Sequence, residues 1–153
     1  MYKRQIKKSE PIADAAPPKP KWKKKYKILK DLDKKTIKKG QIINIENLYF
    51  IADTSEMTSA SFPVLEEVYD FLKENKGVSV EIGGHTNNKP TVEYCDFLST
   101  NRAKAVAKYL TDKGIAASRV KFKGYGKRKP KFSNATRNGR QKNQRVEIKI
   151  LAV

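Results

Sequence analysis

The sequence predicts an α+β fold, a small two-layer sandwich of four strands and two helices. Three observations carry this. Period-two apolar segments alternate with helix-period segments in the order strand, helix, strand, helix, strand, strand. Gly77 and Gly114 follow the two helical segments, where helices stop. The chain of 153 residues is long enough for one domain with a real core, yet its hydrophobic content of 38% is lean for that size, so the ordered part is expected to be smaller than the whole.

The first strand is read over residues 41–50. Its apolar phase slips at Glu46-Asn47, from Ile43 and Ile45 to Leu48 and Phe50, which suggests a bulge. A helix follows, with Ser61 as N-cap and Pro63 in its first turn. Glu66 and Glu67 suit its positive end, and Leu65, Val68 and Leu72 form its apolar stripe. Val78, Val80 and Ile82 alternate with Ser79 and Glu81 as the second strand, and a polar loop runs from Gly83 to about Phe97.

The second helix is placed from Ser99, its N-cap, with Ala103, Val106, Ala107 and Leu110 facing inward. Val120 and Phe122 mark a third strand; Val146, Ile148 and Ile150 mark a fourth. Helical crossovers imply parallel pairing with right-handed connections, both helices on one sheet face.

Charge divides the chain into three parts. Residues 1–40 carry 15 Lys+Arg and 4 Asp+Glu, residues 41–112 carry 6 and 11, and residues 113–153 carry 13 and 1. Residues 1–40 therefore read as a basic Pro/Lys-rich tail and 41–153 as the domain. Proline and like-charge repulsion make residues 1 to about 27 a semi-stiff linker. The competing reading is a polybasic arm for nucleic acid or anionic lipid, with Trp22 and Tyr26 as anchors. The basic start, Met1 to Lys8, is not followed by an apolar run, so it is no secretory signal as written; a cytoplasmic chain or a fragment is expected. No apolar stretch approaches the roughly 20 residues that span a bilayer.

Catalytic and metal chemistry find little support. One cysteine and one histidine are too few for a disulfide framework or a His/Cys metal site. His85 has no convincing acid or nucleophile partner in sequence, and reads as a hydrogen bonder that orders a loop. Cys95 reads as a small, partly buried side chain. Gly124-Tyr125-Gly126 lacks the third glycine of a dinucleotide fingerprint and reads as a turn. The expectation is a non-enzyme without cofactor or metal. Tyr125 and Phe132, interleaved with Lys127, Arg128, Lys129 and Lys131, would also suit a nucleic-acid patch, but a solvated surface or one facing an anionic wall polymer is the better reading.

One position is odd. With Ser99 as N-cap, Arg102 falls in the first turn, where a cation opposes the helix dipole. Either an exposed arginine tolerates this, or Arg102 and the free N–H groups of that turn together hold a carboxylate.

Several separated motifs, in order, resemble the OmpA-like C-terminal domain family of outer-membrane anchors, Pal lipoproteins and flagellar motor stator proteins. They are Gly84-His85-Thr86; Leu98-Ser99 with Arg102-Ala103 and Val106; Tyr109-Leu110; Lys113-Gly114-Ile115; Gly124-Tyr125-Gly126 with Pro130; Asn134, Thr136 and Gly139-Arg140; and Asn143 with Arg145-Val146-Glu147-Ile148. The resemblance covers about residues 42–153. It implies a two-layer βαβαβ sandwich with a mixed four-stranded sheet and a short extra helix before the last strand, near 134–143. It also implies non-covalent binding of peptidoglycan through the diaminopimelate of the stem peptide, at the periplasmic face of the outer membrane or in the cell envelope. The partners implied are peptidoglycan and an envelope-protein segment N-terminal to this chain, with no nucleic acid. The residues implied at the site are Arg102, Thr86, Asn87, Cys95, Leu98, Ser99 and Arg145. Two depart from the family pattern: its aspartate is Asn87 here and its asparagine is Cys95. An amide oxygen can accept from an ammonium group but brings no charge, so weaker binding, a shifted ligand or a purely structural domain are the alternatives.

Overall fold

A computed structural model of the chain describes residues 27–153. The expected linker or polybasic arm, with Trp22 and Tyr26, lies outside the described residues. The element order is β1 (Ile42–Asn44), α1 (Phe62–Glu74), β2 (Ser79–His85), α2 (Val92–Asp112), β3 (Val120–Gly126), α3 (Arg137–Asn143) and β4 (Arg145–Ala152). The sheet runs β1-β4-β2-β3. β2 and β3 are parallel, while β4 is antiparallel to both β1 and β2. The α+β sandwich with a mixed four-stranded sheet is therefore the observed fold. Strands β1 and β2 run in the same direction, as the helical crossover requires, but β4 fills the slot between them.

The alternation read from sequence sets the two faces. Val80, Ile82, Val146, Ile148 and Ile150 join Leu65, Val68, Leu72, Val106 and Leu110 in one core cluster. Glu81, Gly83, His85, Glu147 and Lys149 share the opposite face. Helix α2 sits very close to the sheet. A Cβ on Gly84 would lie 2.1 Å from the backbone oxygen of Ser99, and one on Gly124 would lie 2.1 Å from Thr100 Oγ1. Two motif glycines thus set the height of α2, and with it every side chain on the helix's inner face.

Four expectations change. The first strand is three residues long. Ile45 N still donates to Val146 O at 2.9 Å, but the chain then leaves the sheet through Asn47 in the left-handed region, φ +61°. The phase slip marks this departure rather than a bulge. Gly124-Tyr125-Gly126 is no turn; it is the end of β3.

Helix α2 begins seven residues before Ser99. Thr91 is its N-cap, its Oγ1 accepting from Tyr94 N at 3.2 Å, and Glu93 lies in the first turn. Ser99 is an interior helical residue, and Arg102 stands nowhere near the helix N-terminus. The dipole reading of Arg102 is therefore wrong.

Residues 28–40 do not behave as a tail either. Leu29 and Leu32 are buried in the core, and the Glu67 carboxylate accepts the backbone N–H groups of Ile28 at 2.8 Å and Leu29 at 3.0 Å. Gly40 N donates to Ile150 O at 2.7 Å. The packed unit takes in residues 28–40 as well as 41–153, because two leucines spaced three apart outweigh the lysines around them.

Candidate functional site

Cys95, Leu98, Ser99 and Arg102 follow i, i+3, i+4, i+7 spacing and form one buried face of α2. The glycine contacts press the middle of that face onto the ends of β2 and β3. Ser99 Oγ accepts from Gly126 N at 2.9 Å and donates to Asp96 O at 3.3 Å, so its hydroxyl bonds to the fold. Thr86 N donates to Gly126 O at 2.9 Å, and Thr86 Oγ1 donates to Asn87 O at 3.0 Å. Cys95 is fully rather than partly buried, its Sγ 3.7 Å from Asn87 O and 3.8 Å from Pro90 O. Asn87 Oδ1 accepts from Lys89 N at 3.0 Å. Thr86, Asn87, Cys95 and Ser99 thus meet at the β2–α2 loop, where most of their polar atoms shape the backbone. Leu98 is a buried apolar neighbour on the same helical face.

Arg102 lies one turn further along α2 and is only 7% exposed. Its Nε–H donates to Thr54 O at 2.8 Å, and its guanidinium lies 4.7 Å from the centre of the Phe50 ring. Both partners come from the loop between β1 and α1, whose own geometry is fixed by Ser61. Ser61 Oγ accepts from Tyr49 N at 2.8 Å and donates to Tyr49 O at 3.0 Å. Among the described residues no carboxylate forms an ion pair with Arg102, and only its Nε–H has a hydrogen-bond acceptor. Burial pushes the guanidinium below its ordinary pKa, with Tyr94 and Asp53 opposing.

Arg102 forms part of the wall of a cleft of about 710 Å³, together with Tyr49, Phe50, Phe132, Lys142 and Arg145. Of the residues expected at the site, Arg102 and Arg145 line this cleft. Thr86, Asn87, Cys95, Leu98 and Ser99 do not. Arg145 is committed to the protein itself: Nε donates to Glu147 Oε2 at 2.7 Å, Nη1 to Asn143 O at 3.3 Å and Nη2 to Lys129 O at 3.1 Å.

His85, expected to order a loop, instead ends strand β2 and is buried. Its Nε2 lies 3.1 Å from Glu147 Oε1, and its ring stacks on Tyr125 at 5.1 Å. Burial alone would push the Glu147 carboxyl up, but hydrogen bonds from His85 and Arg145 outweigh this and hold it at about 2. A carboxyl bound more weakly to its proton when folded stabilises the fold above its unfolded pKa, near 4.5, and that contribution is lost as pH falls toward 2. The expected loss is on the order of 3 kcal/mol between those values. Urea titrations of the wild type and Glu147→Gln at pH 6 and pH 3 check this. The gap between the two proteins should shrink at the lower pH.

Sequence reading misses Thr54, which holds Arg102 through a backbone carbonyl that leaves no side-chain signal, and the cleft residues Phe50 and Phe132 among others. Phe50 reads as part of a strand. Phe132 was visible as an aromatic in a basic, turn-rich segment, but the interleaving drew it toward a polyanion patch.

Comparisons with known proteins converge on one family. The OmpA family model matches residues 49–144. Outer membrane porin F of Pseudomonas fluorescens is 34% identical over 114 residues, which is 74% of this chain and 35% of that protein. Peptidoglycan-binding protein ArfA of Mycobacterium tuberculosis is 39% identical over 98 residues, 64% of this chain and 30% of its own length. The chain thus spans about a third of the length of these curated relatives. Among solved structures, the cell wall anchor of the T6SS from Pseudomonas aeruginosa aligns with a TM-score of 0.63 at 32% identity, covering 73% of this chain and 80% of that one. The periplasmic domain of Helicobacter pylori MotB aligns with a TM-score of 0.65 at 26% identity, covering 76% and 78%.

Proposed function

The chain belongs to the OmpA family, and on that premise we propose that it binds peptidoglycan non-covalently and anchors an envelope protein to the cell wall. The observation that carries this reading is Arg102. A guanidinium withdrawn from water costs free energy unless a partner repays it. Among the described residues no carboxylate forms an ion pair with it, and the N–H groups beyond Nε belong to a residue on a cleft wall. An arginine fork matches a carboxylate in shape and charge. The diaminopimelate of a stem peptide offers such a carboxylate. The relatives named as a peptidoglycan-binding protein and a cell wall anchor support the choice of polymer.

In this reading Arg102 grips the acid. Asn87 stands at the β2–α2 loop outside the cleft wall, and its amide oxygen, which already takes Lys89 N, keeps a second lone pair for a ligand ammonium group that projects past the cleft toward that loop. Ser99, Thr86 and Cys95 hold the loop and helix in place, Leu98 packs beneath them, and Arg145 braces the cleft through Glu147. The module binds rather than catalyses, and it works on the periplasmic side of the envelope, joined to a preceding envelope-protein segment.

Co-sedimentation with purified sacculi tests the reading. The wild-type protein should pellet with the wall, and Arg102→Ala should stay in the supernatant. Wild type remaining in the supernatant, or equal pelleting of both, contradicts it.

A further inference from the structure

Asn143 is fully buried, and its side chain binds the segment before α3 from four sides. Its Oδ1 accepts from Lys131 N at 2.9 Å and Phe132 N at 2.8 Å. Its Nδ2 donates to Phe132 O at 2.8 Å and Asn134 Oδ1 at 2.9 Å. Arg140 Nη1 adds a bond to Asn134 O at 2.9 Å, and Gly139 packs so closely that a Cβ there would lie 1.8 Å from Ser133 O. The Phe132 backbone is thus bonded at both its N–H and its C=O, and its ring stands 38% exposed on the cleft wall. Lys142, itself exposed, holds its Nζ 5.4 Å from the ring centre.

A ring left 38% exposed on the wall of the same cleft as Arg102, with its backbone N–H and C=O both bonded to Asn143, is a fixed apolar surface open to whatever fills that cleft. The cleft also has room to spare. Pockets of about 300–1,000 Å³ enclose whole drug-sized molecules, so 710 Å³ far exceeds what one carboxylate on Arg102 occupies.

We propose that Phe132 and Lys142 form a second subsite that binds a saccharide ring of the same wall polymer, Phe132 stacking against the sugar's C–H face and Lys142 donating to its rim oxygens. The inference rests on the peptidoglycan reading of the cleft. A pyranose suits this pair because it offers an apolar face and oxygen acceptors at once. An anionic group would need only the lysine and would leave the ring unused. Phe132 and Arg102 then divide the ligand, glycan on one wall and stem peptide on the other.

Calorimetric titration with two ligands tests this: a disaccharide–tetrapeptide muropeptide and the same tetrapeptide without sugars. Wild type should bind the muropeptide about tenfold more tightly than the peptide. Phe132→Ala should remove that preference and leave peptide affinity within about twofold of wild type. Phe132→Tyr, which keeps a ring, should retain it. An undiminished preference in Phe132→Ala, or equal losses for both ligands, overturns the subsite while leaving Arg102 in place. Binding of neither ligand by wild type removes the peptidoglycan reading and the subsite together.

Discussion

Gly84→Ala is expected to destabilise the fold by about 3 kcal/mol or more, lowering Tm by roughly 10 °C. The new methyl carbon would sit 2.1 Å from Ser99 O, 2.9 Å from its carbonyl carbon and 3.2 Å from its Cα. All three are backbone atoms, so no rotamer change relieves the clash, and α2 as a whole must lift from β2. Because α2 carries Arg102, the same change should also weaken the cleft's grip on its ligand. Gly77→Ala is the control. The nearest atom to its added carbon is Val153 C at 3.9 Å, and stability should stay within about 0.5 kcal/mol. Thermal scans of the three proteins measure both effects.

Arg102→Ala should separate binding from folding. Truncating one member of a buried charge pair typically costs 2–5 kcal/mol of affinity, so muropeptide binding should fall by about a hundredfold. Fold stability should move far less, by no more than about 1 kcal/mol, since removing a buried cation relieves its desolvation even as Thr54 O loses a donor. Arg102→Lys should recover little of the affinity, because a point charge on a flexible stem does not reproduce the planar fork. A stability loss matching the affinity loss would make Arg102 a structural residue instead.

The core was legible wherever burial and periodicity coincide. Leu65, Val68 and Leu72, then Ala103, Val106 and Leu110, then Ile148 and Ile150 are all buried as their spacing requires. Arg102, the residue proposed to hold the ligand, stands out in the sequence for the wrong reason. It reads there as a cation opposing a helix dipole, yet Thr91 caps the helix three turns earlier. The first two turns of α2 carry exposed Val92 and Phe97 beside buried Cys95 and Leu98, which blurs the helical period there. What makes Arg102 unusual is burial with no ion pair among the described residues, and that burial depends on the Phe50–Thr54 loop folding back over α2, which no local pattern encodes.

The β4 insertion between β1 and β2 was hidden for a similar reason. Strand order comes from the tertiary pairing of Ile43 with Ile148 and of Ile82 with the same residue. Leu29 and Leu32 were masked by the lysines around them. His85, Glu147 and Arg145 lie on two strands far apart in sequence, and only the antiparallel register of β2 and β4 brings them together.

The most direct measurement asks whether the Arg102 guanidinium recognises an acid. Titrate wild type and Arg102→Ala with a stem peptide whose diaminopimelate carboxylate is free, and with the same peptide amidated at that carboxylate. Wild type should bind the free acid at least tenfold more tightly than the amide, and Arg102→Ala should bind both equally weakly. Equal affinity of wild type for acid and amide, or a variant that still prefers the acid, would show that the carboxylate is held elsewhere.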